Sequence, residues 1–211
     1  MPSRKTLNAF LDELASSSPA PGGGSVAALA GALGAALTSM VCHLTMGRKK
    51  YADVEGDMKR VLEQSEQLRA QFTELIDRDT LAFNKVMEAF GLPKDTEPQK
   101  ALRSVAITEA TKEATLVPLE VMKHCIDALA LAQTVALKGN PNSLSDAGVS
   151  ALMLHAALEG AALNVRINLN GLNDPEFVGW KEDDVQSLRS TSAVMLEEIL
   201  GIIDEKLKRT P

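Results

Sequence analysis

The sequence predicts an all-α protein, a single-domain bundle of long helices with a central buried helix rich in Ala, Gly and Leu. Hydrophobic residues make up 45% of the 211 positions but aromatic residues only 3%. The core must therefore consist mainly of small and aliphatic side chains, which suit close-packed helices better than strands. No segment shows the apolar and polar alternation of a half-buried strand. Because no repeat or composition shift divides the chain, we expect one domain over residues 1–211.

Charge and cysteine content limit the functional classes. A net charge of −6 argues against a general nucleic-acid-binding protein. Cys42 and Cys125 lie in apolar segments without the spacing of a metal site, so we expect two reduced thiols in the core and a reducing compartment. The N-terminal residues lack the apolar region of a signal peptide, which favours a cytoplasmic location.

The first long helix is expected at 25–46, after a short helix at 6–16 and a loop at 16–24 rich in Ser, Pro and Gly. It carries no formal charge and is long enough to cross a bilayer. Its Ala and Gly residues, however, contribute little to membrane insertion. The larger side chains form a single stripe, at Leu29, Leu33, Leu37, Met40 or Val41, and Leu44. Small residues on the other faces allow close neighbours, so we interpret this segment as the central bundle helix and not as a membrane span.

The remaining elements follow from periodicity and helix breakers. We expect a long amphipathic helix at 55–90, a loop at 91–98, and a helical region at 98–138 that Pro118 kinks or divides. After a loop at 139–143, further helices are expected at 144–169 and 182–208. Several of these helices are apolar around most of their circumference. This pattern predicts more buried surface than one protomer offers, and hence a homodimer.

One carboxylate falls on the apolar face of the helix at 55–90. The core stripe of this helix, at steps of three and four, comprises Leu68, Phe72, Leu75, Asp79, Ala82 and Val86. A buried carboxylate is costly unless it is paired or has a raised pKa. Asp79 is therefore either a structural carboxylate bonded to a helix terminus or an arginine, or a general acid and base in a cleft between helices.

Two glycine-rich or basic segments flank the central helix. Gly22, Gly23 and Gly24 precede Ser25, a candidate N-cap, and would leave backbone N–H groups open to a polar ligand; a simple tight turn is the alternative. The segment Arg48, Lys49, Lys50 and Tyr51 follows the helix. Its cations either offset the helix dipole or form a basic rim for an acidic substrate.

Polar residues also cluster around the helix at 144–169. Asn140 lies in the preceding loop, and Asp146 lies in the first turn, where helix stabilisation alone would explain it. Asn164 and Asn168 lie one turn apart and could bond to other helices or to a heterocycle. The three histidines stand alone, so no metal site is predicted.

The ordered set of these motifs resembles the cyclodeaminase-type folate enzymes. This family includes the C-terminal domain of formiminotransferase-cyclodeaminase and stand-alone bacterial methenyltetrahydrofolate cyclohydrolases. The matching segments are PAPGGGSVAALAGALGAAL (19–37), LTMGRKKY (44–51), DTLAFNKVMEAFGLPK (79–94), GNPNSLSDAGVSAL (139–152) and AALNVRINL (161–169). The sequence GRKKY…VEGDMK and the lack of a formiminotransferase domain resemble the stand-alone cyclohydrolases more than the two-domain enzymes.

The resemblance implies an all-helical dimer that takes a reduced folate as its substrate, with no metal and no permanently bound cofactor. It implies that Arg48, Lys49 and Lys50 hold the glutamate tail and that Asn140, Asn164 and Asn168 hold the pterin. Asp79 would be the catalytic base, and Asp146 a second carboxylate or an orienting group. We expect a methenyltetrahydrofolate cyclohydrolase, with formiminotetrahydrofolate cyclodeaminase as the alternative. A non-catalytic helical interaction module remains as an alternative of another class.

Overall fold

The chain is a bundle of five long helices and one short one in the computed structural model, which describes residues 1–208. The helices are α1 (Leu7–Leu14), α2 (Gly23–Thr45), α3 (Glu55–Phe90), α4 (Glu97–Lys138), α5 (Leu144–Leu169) and α6 (Pro175–Lys208), with 3₁₀ turns at Pro2–Arg4, Lys49–Val54 and Pro141–Ser143. Within the described residues there is no strand. The predicted all-α class is therefore confirmed, whereas residues 209–211 of the predicted domain lie outside the described part.

Small residues let α2 approach its neighbours closely. A Cβ atom on Gly31 would lie 2.6 Å from the ring of Phe72 on α3, and one on Gly34 would lie 2.6 Å from Leu154 on α5. Both distances are far inside van der Waals contact, so neither glycine can be replaced without moving a core side chain. The helix packs against α3, α4 and α5, as the abundance of small residues predicts.

The fourth side of α2 is open to solvent. Along it lie the large apolar side chains, with exposed fractions of 38% for Val26, 48% for Leu33, 37% for Met40 and 37% for Leu44. The adjacent helix α5 continues this surface with Val149, Leu152, Leu163 and Ile167, which are exposed as well. We call these eight side chains the α2–α5 apolar face. The leucine stripe of α2 is thus largely surface, while its small residues form the core.

Two segments meet the length and hydropathy of a membrane span, by composition alone. They are Gly23–Thr45 and Pro141–Leu169, and 56% and 50% of their most apolar windows are buried inside the bundle. A core helix of a soluble protein meets the same criteria, so this property does not discriminate between the two environments.

Helix α4 runs unbroken through Pro118, so of the two predicted outcomes, a kink or a division, the division is wrong. Proline has no N–H and leaves the carbonyl four residues earlier without its helical donor. Here that carbonyl belongs to Ala114, and it accepts a hydrogen bond from Nδ2 of Asn168 at 3.1 Å. A side chain of α5 therefore replaces the missing backbone bond.

Helix α6 begins at Pro175, seven residues before the predicted start at 182. Asp174 Oδ1 accepts a hydrogen bond from the backbone N–H of Phe177 at 3.1 Å, which caps the first turn. Proline in the first turn of a helix loses no hydrogen bond, because that N–H has no helical partner. The Asp-Pro pair is thus a helix start and not part of a loop.

Both cysteines are free and buried, as predicted. Burial raises the pKa of Cys42 to about 11 and also raises the pKa of Cys125. Neither thiol is an accessible nucleophile at neutral pH.

Candidate active site

The carboxylate of Asp79 lies against the first turn of α2. Ser25 Oγ donates a hydrogen bond to Asp79 Oδ2 at 2.8 Å and lies 3.3 Å from the carbonyl of Ile76. Ser25 is fully buried, at 0% exposure, whereas Asp79 is half-buried. The periodicity of α3 therefore placed Asp79 correctly, on the face that meets another helix.

Gly24 is the residue that allows this contact. A Cβ atom at this position would lie 2.0 Å from Asp79 Oδ1 and 2.6 Å from its Cγ. Gly22 has no such neighbour and is the N-cap of α2, with no side-chain hydrogen bond. The prediction that Ser25 caps the helix is therefore wrong: Ser25 lies inside the first turn and turns its hydroxyl to α3.

Burial raises the pKa of Asp79, and the hydrogen bonds from the side chain and backbone of Ser25 offset only part of this effect. A carboxyl group with a raised pKa holds its proton more tightly than a free aspartate does. Its ionised form is correspondingly a stronger base. Asp79 is thus bonded at a helix terminus, as the structural alternative predicts, and is also tuned as the catalytic alternative requires.

One amide side chain of α5 adjoins this position, and a second lies one turn further along the same helix. The Nδ2 of Asn164 lies 3.4 Å from the place of a Cβ on Gly23 and donates to the carbonyl of Gly160 at 2.8 Å. Asn168 donates to Ala114 as described above. Within residues 1–208 neither Oδ1 atom accepts a side-chain hydrogen bond. Each amide therefore keeps an acceptor for a ligand, although one of its N–H groups is already used.

The other predicted site residues lie at the opposite end of α2. Asn140 is 4% exposed; its backbone N–H donates to Thr45 Oγ1 at 2.9 Å and its Nδ2 to the carbonyl of Leu44 at 3.1 Å. Its Oδ1 accepts from the Tyr51 hydroxyl at 3.1 Å. The amide of Asn140 is thus engaged within the chain, and its contact with a substrate stays a prediction.

The length of α2 sets the distance between the polar residues at its two ends. Ser25 and Thr45 are twenty residues apart, which is about 30 Å at the rise of an α-helix. Asp146 and Asn164 are separated by about 27 Å along α5 for the same reason. The structure therefore does not bring Asp79 and Asp146 together within one protomer, nor Asp79 and the Arg48, Lys49 and Lys50 segment.

Two further features of the structure were not predicted. Thr80 Oγ1 is buried without a hydrogen-bond partner in the described part of the chain. No sequence signal marks it, because a helical threonine ordinarily bonds to the carbonyl four residues earlier, and here that carbonyl of Ile76 faces Ser25. A groove of about 440 Å³ lies beyond the end of α5, lined in part by Lys94, Lys100 and Arg103. From the sequence, residues 91–98 were predicted only as a loop that breaks the helix.

Among residues 1–208, no group of three or more His, Cys, Asp or Glu side chains is close enough to hold a metal ion. The polar groups at the start of α2 are a carboxylate, a hydroxyl and amides. Their chemistry is that of hydrogen bonding and proton transfer.

Comparison with known proteins identifies the fold and the motifs. The sequence model of the formiminotransferase-cyclodeaminase family matches residues 6–187. A methenyltetrahydrofolate cyclohydrolase of Methylorubrum extorquens is 48% identical, and the alignment covers 98% of this chain and all of that protein. The formimidoyltransferase-cyclodeaminase of Mus musculus is 35% identical over 95% of this chain, which spans only 37% of that protein's length.

A solved structure shares the architecture. The crystal structure of formiminotetrahydrofolate cyclodeaminase from Thermotoga maritima superposes with a TM-score of 0.86 at 30% identity, covering 97% of this chain and 98% of that one. The resemblance inferred from the motifs is confirmed over almost the whole sequence. The chain belongs to the formiminotransferase-cyclodeaminase family.

Proposed function

We propose that the protein is a methenyltetrahydrofolate cyclohydrolase, which hydrolyses 5,10-methenyltetrahydrofolate to 10-formyltetrahydrofolate. The half-buried Asp79, held against Gly24 by Ser25 and raised in pKa, carries the proposal. The identity of 48% to a cyclohydrolase of the same length supports the choice of reaction.

The reaction requires proton transfer in two directions. The substrate is a cyclic amidinium whose bridging carbon is electrophilic, and water loses a proton as its oxygen bonds to that carbon. The bond from the carbon to N5 then breaks, N5 takes up a proton, and the hydroxyl loses its proton to give the formyl group on N10. One proton is released in total. Asp79 is the base that accepts the first proton and the acid that supplies N5.

The same carboxylate stabilises the positive charge of the substrate. An ionised Asp79 beside the amidinium forms a charge pair that is stronger in a partly desolvated cleft than in water. The substrate cation in turn favours the ionised form of Asp79, which is the form that accepts a proton from water.

The pterin has both donors and acceptors along its edge. The free Oδ1 atoms of Asn164 and Asn168 suit its ring and amino N–H groups, and the N–H group of the exposed Gly23 suits its carbonyl oxygen. This placement sets the bridging carbon near Asp79.

Formiminotetrahydrofolate cyclodeaminase is the second candidate, because the Thermotoga maritima protein with the same architecture is described as that enzyme. In that reaction N10 attacks the formimino carbon and ammonia leaves. The tetrahedral intermediate differs only by NH₂ in place of OH, so the same carboxylate would serve.

We further propose that the protein is a cytoplasmic homodimer that binds neither membrane nor nucleic acid. The α2–α5 apolar face supports the dimer, since a contiguous patch of this kind is found at protein–protein contacts. A second copy would cover it with an identical surface.

The activity is tested with purified protein and 5,10-methenyltetrahydrofolate. We expect loss of the methenyl chromophore, without ammonia, faster than in buffer alone, and a decrease of about 10²–10⁴-fold in turnover for Asp79→Asn. Formation of the methenyl chromophore with ammonia from the formimino substrate would support the second candidate instead. If calorimetry detected no binding of any reduced folate, the non-catalytic alternative would replace both.

A further inference from the structure

Pro118 leaves a carbonyl oxygen on α4 that one side chain of α5 binds. The oxygen belongs to Ala114, which is 8% exposed, and it accepts a hydrogen bond from Asn168 Nδ2 at 3.1 Å. Without Asn168 this acceptor would have neither its helical donor nor any other partner within the bundle, and a buried acceptor without a partner is costly. The fold therefore fixes which end of the Asn168 amide faces α4.

The two ends of an asparagine amide have opposite roles in hydrogen bonding, because the nitrogen donates and the oxygen only accepts. If the amide of Asn168 were reversed, Oδ1 would lie against the carbonyl oxygen of Ala114, and two acceptors would face each other without a donor. The amide is thus held with Nδ2 on α4 and Oδ1 on the other side. Within residues 1–208 this Oδ1 accepts no side-chain hydrogen bond.

Asn164, one turn earlier on α5, is not held in this way. Its Nδ2 donates to the carbonyl of Gly160 at 2.8 Å, four residues earlier on the same helix. That carbonyl already has its helical donor, the backbone N–H of Asn164 itself. Reversal of the Asn164 amide would therefore leave no carbonyl unpaired. Of the two amides, only that of Asn168 has a fixed direction.

The fixed oxygen lies close to the start of α2. Asn164 adjoins Gly23, the first residue of α2, and Asp79 contacts the next residue. Asn168 follows Asn164 by four residues on the same face of α5, about 6 Å further along the helix, and is half-buried. A ligand in contact with Asp79 and Asn164 therefore comes within about one helical turn of Asn168.

We propose that Pro118 is a positioning residue, which holds Asn168 as a fixed hydrogen-bond acceptor for an N–H group of the substrate's pterin ring. The inference rests on the proposed function and adds to it a residue that acts through Asn168 and not by contact with the substrate. An N–H donor is accepted at this place in the site, whereas a carbonyl is rejected, because it would face a fixed acceptor.

Pro118→Ala tests the positioning role. The restored N–H of residue 118 bonds to the carbonyl of Ala114, so the amide of Asn168 can turn. An amide that samples both directions and up to three rotamers is competent to bind for about a half to a sixth of the time, so KM should rise about 2–6-fold. The kcat should stay within about twofold, because Asp79 is untouched. An unchanged KM, or a kcat that falls as much as KM rises, would refute the proposal.

Pro98→Ala is the matched control for this variant. Pro98 lies in the first turn of the same helix, where a proline deprives no helical carbonyl of its donor. Its replacement should leave both kcat and KM unchanged within about 1.5-fold. A rise in KM equal to that of Pro118→Ala would show that any loss of proline from α4 weakens binding, and would overturn the specific role of Pro118.

Substitutions of Asn168 test the direction of the amide, in the Pro118→Ala background where Ala114 needs no side-chain donor. Asn168→Asp keeps an acceptor, and its two oxygens are equivalent in either direction; its KM should equal that of Pro118→Ala or be lower. Asn168→Ala leaves an N–H group of the substrate unpaired, which should raise KM by about 5–150-fold. If Asn168→Asp raises KM as much as Asn168→Ala does, the substrate meets the N–H end of the amide and the proposal is wrong.

Hydrogen exchange of side-chain amides measures the contact without substrate. In isotope-labelled wild-type protein, one Nδ2 hydrogen of Asn168 should exchange at least about tenfold more slowly than those of the exposed Asn84, and Pro118→Ala should remove this protection. Rapid exchange at Asn168 in the wild type would overturn the proposal even if Pro118→Ala did not fold. Absence of turnover with slow exchange would contradict the proposed reaction alone, and the same variants would then be compared by their affinity for reduced folate.

Discussion

Gly24→Ala is the smallest change that should separate folding from catalysis. The new Cβ would lie 2.0 Å from Asp79 Oδ1, 2.6 Å from its Cγ and 3.0 Å from Oδ2. An ordinary contact begins at 3.4 Å. Because Gly24 is part of a helix, its backbone cannot move alone, and the carboxylate must retreat by about the difference of the two distances, 1.4 Å.

The magnitudes follow from this displacement. The 2.8 Å bond between Ser25 Oγ and Asp79 is lost, which costs about 1–3 kcal/mol of stability in a buried setting. Alanine in place of glycine returns up to about 1 kcal/mol through helix propensity. The net loss of unfolding free energy is therefore about 0–3 kcal/mol. A misplacement of about 1 Å in a catalytic group, however, lowers the rate by about 10²-fold.

Gly56→Ala is the matched control. Gly56 is also the second residue of a long helix, and nothing lies within 4 Å of the Cβ that it would acquire. Both variants are compared by chemical denaturation and by the rate of methenyl loss. We expect Gly56→Ala to keep full activity and to be equally or more stable. If Gly24→Ala keeps its kcat within about threefold of the control, the position of the carboxylate is not what limits the reaction.

Three further outcomes are expected. The pKa of Asp79 is raised in the folded state, so ionisation of this carboxyl group opposes folding as the pH rises above the ordinary pKa of aspartate. In thermal unfolding near neutral pH, the Asp79→Asn variant should therefore be more stable than the wild type. This difference in stability should vanish as the pH falls to the ordinary aspartate pKa. Leu33→Glu should convert the proposed dimer to monomers in sedimentation measurements, whereas Leu102→Glu, at a position that is 71% exposed on α4, should not. Asn168→Ala should lower the free energy of unfolding by about 1–3 kcal/mol in chemical denaturation. The loss should be clearly smaller in a Pro118→Ala background, because the restored N–H of residue 118 then bonds to the carbonyl of Ala114. Equal losses in both backgrounds would contradict the assigned contact.

Periodicity predicted where Asp79 lies in the fold but not which residues it contacts. The steps of three and four on α3 placed Asp79 among core residues, and this required only the geometry of one helix. Its bond to Ser25 and its contact with Gly24 depend on how α3 crosses α2, which no local pattern specifies. The sequence therefore suggested a capping role for Ser25, and the structure gives it a bond to another helix.

The same limit explains the errors elsewhere. A helix with leucines on one side and small residues on the others can bury either surface, because leucine gains from burial and glycine permits close approach. In α2 the small residues face the core, and Val26, Leu33, Met40 and Leu44 form its part of the α2–α5 apolar face. Pro118 was expected to kink or divide α4, and the sequence gives no sign that the helix continues, because the donor that compensates for the proline, Asn168, lies fifty residues later in the chain.

The core packing itself explains how a carboxylate came to lie at this position. Gly31 receives the ring of Phe72, and Gly24 receives the carboxylate of Asp79. The glycines are seven residues apart on α2, and their partners are seven residues apart on the antiparallel helix α3, so the two contacts are consecutive repeats of one packing pattern. Asp79 thus occupies a core position of the helix pair. It differs from Phe72 in that α2 ends here, so the site is half-open and the backbone N–H of Ser25 points to the carboxylate. The rigidity of the core therefore fixes the orientation of Asp79, while the end of α2 gives water and substrate access to it.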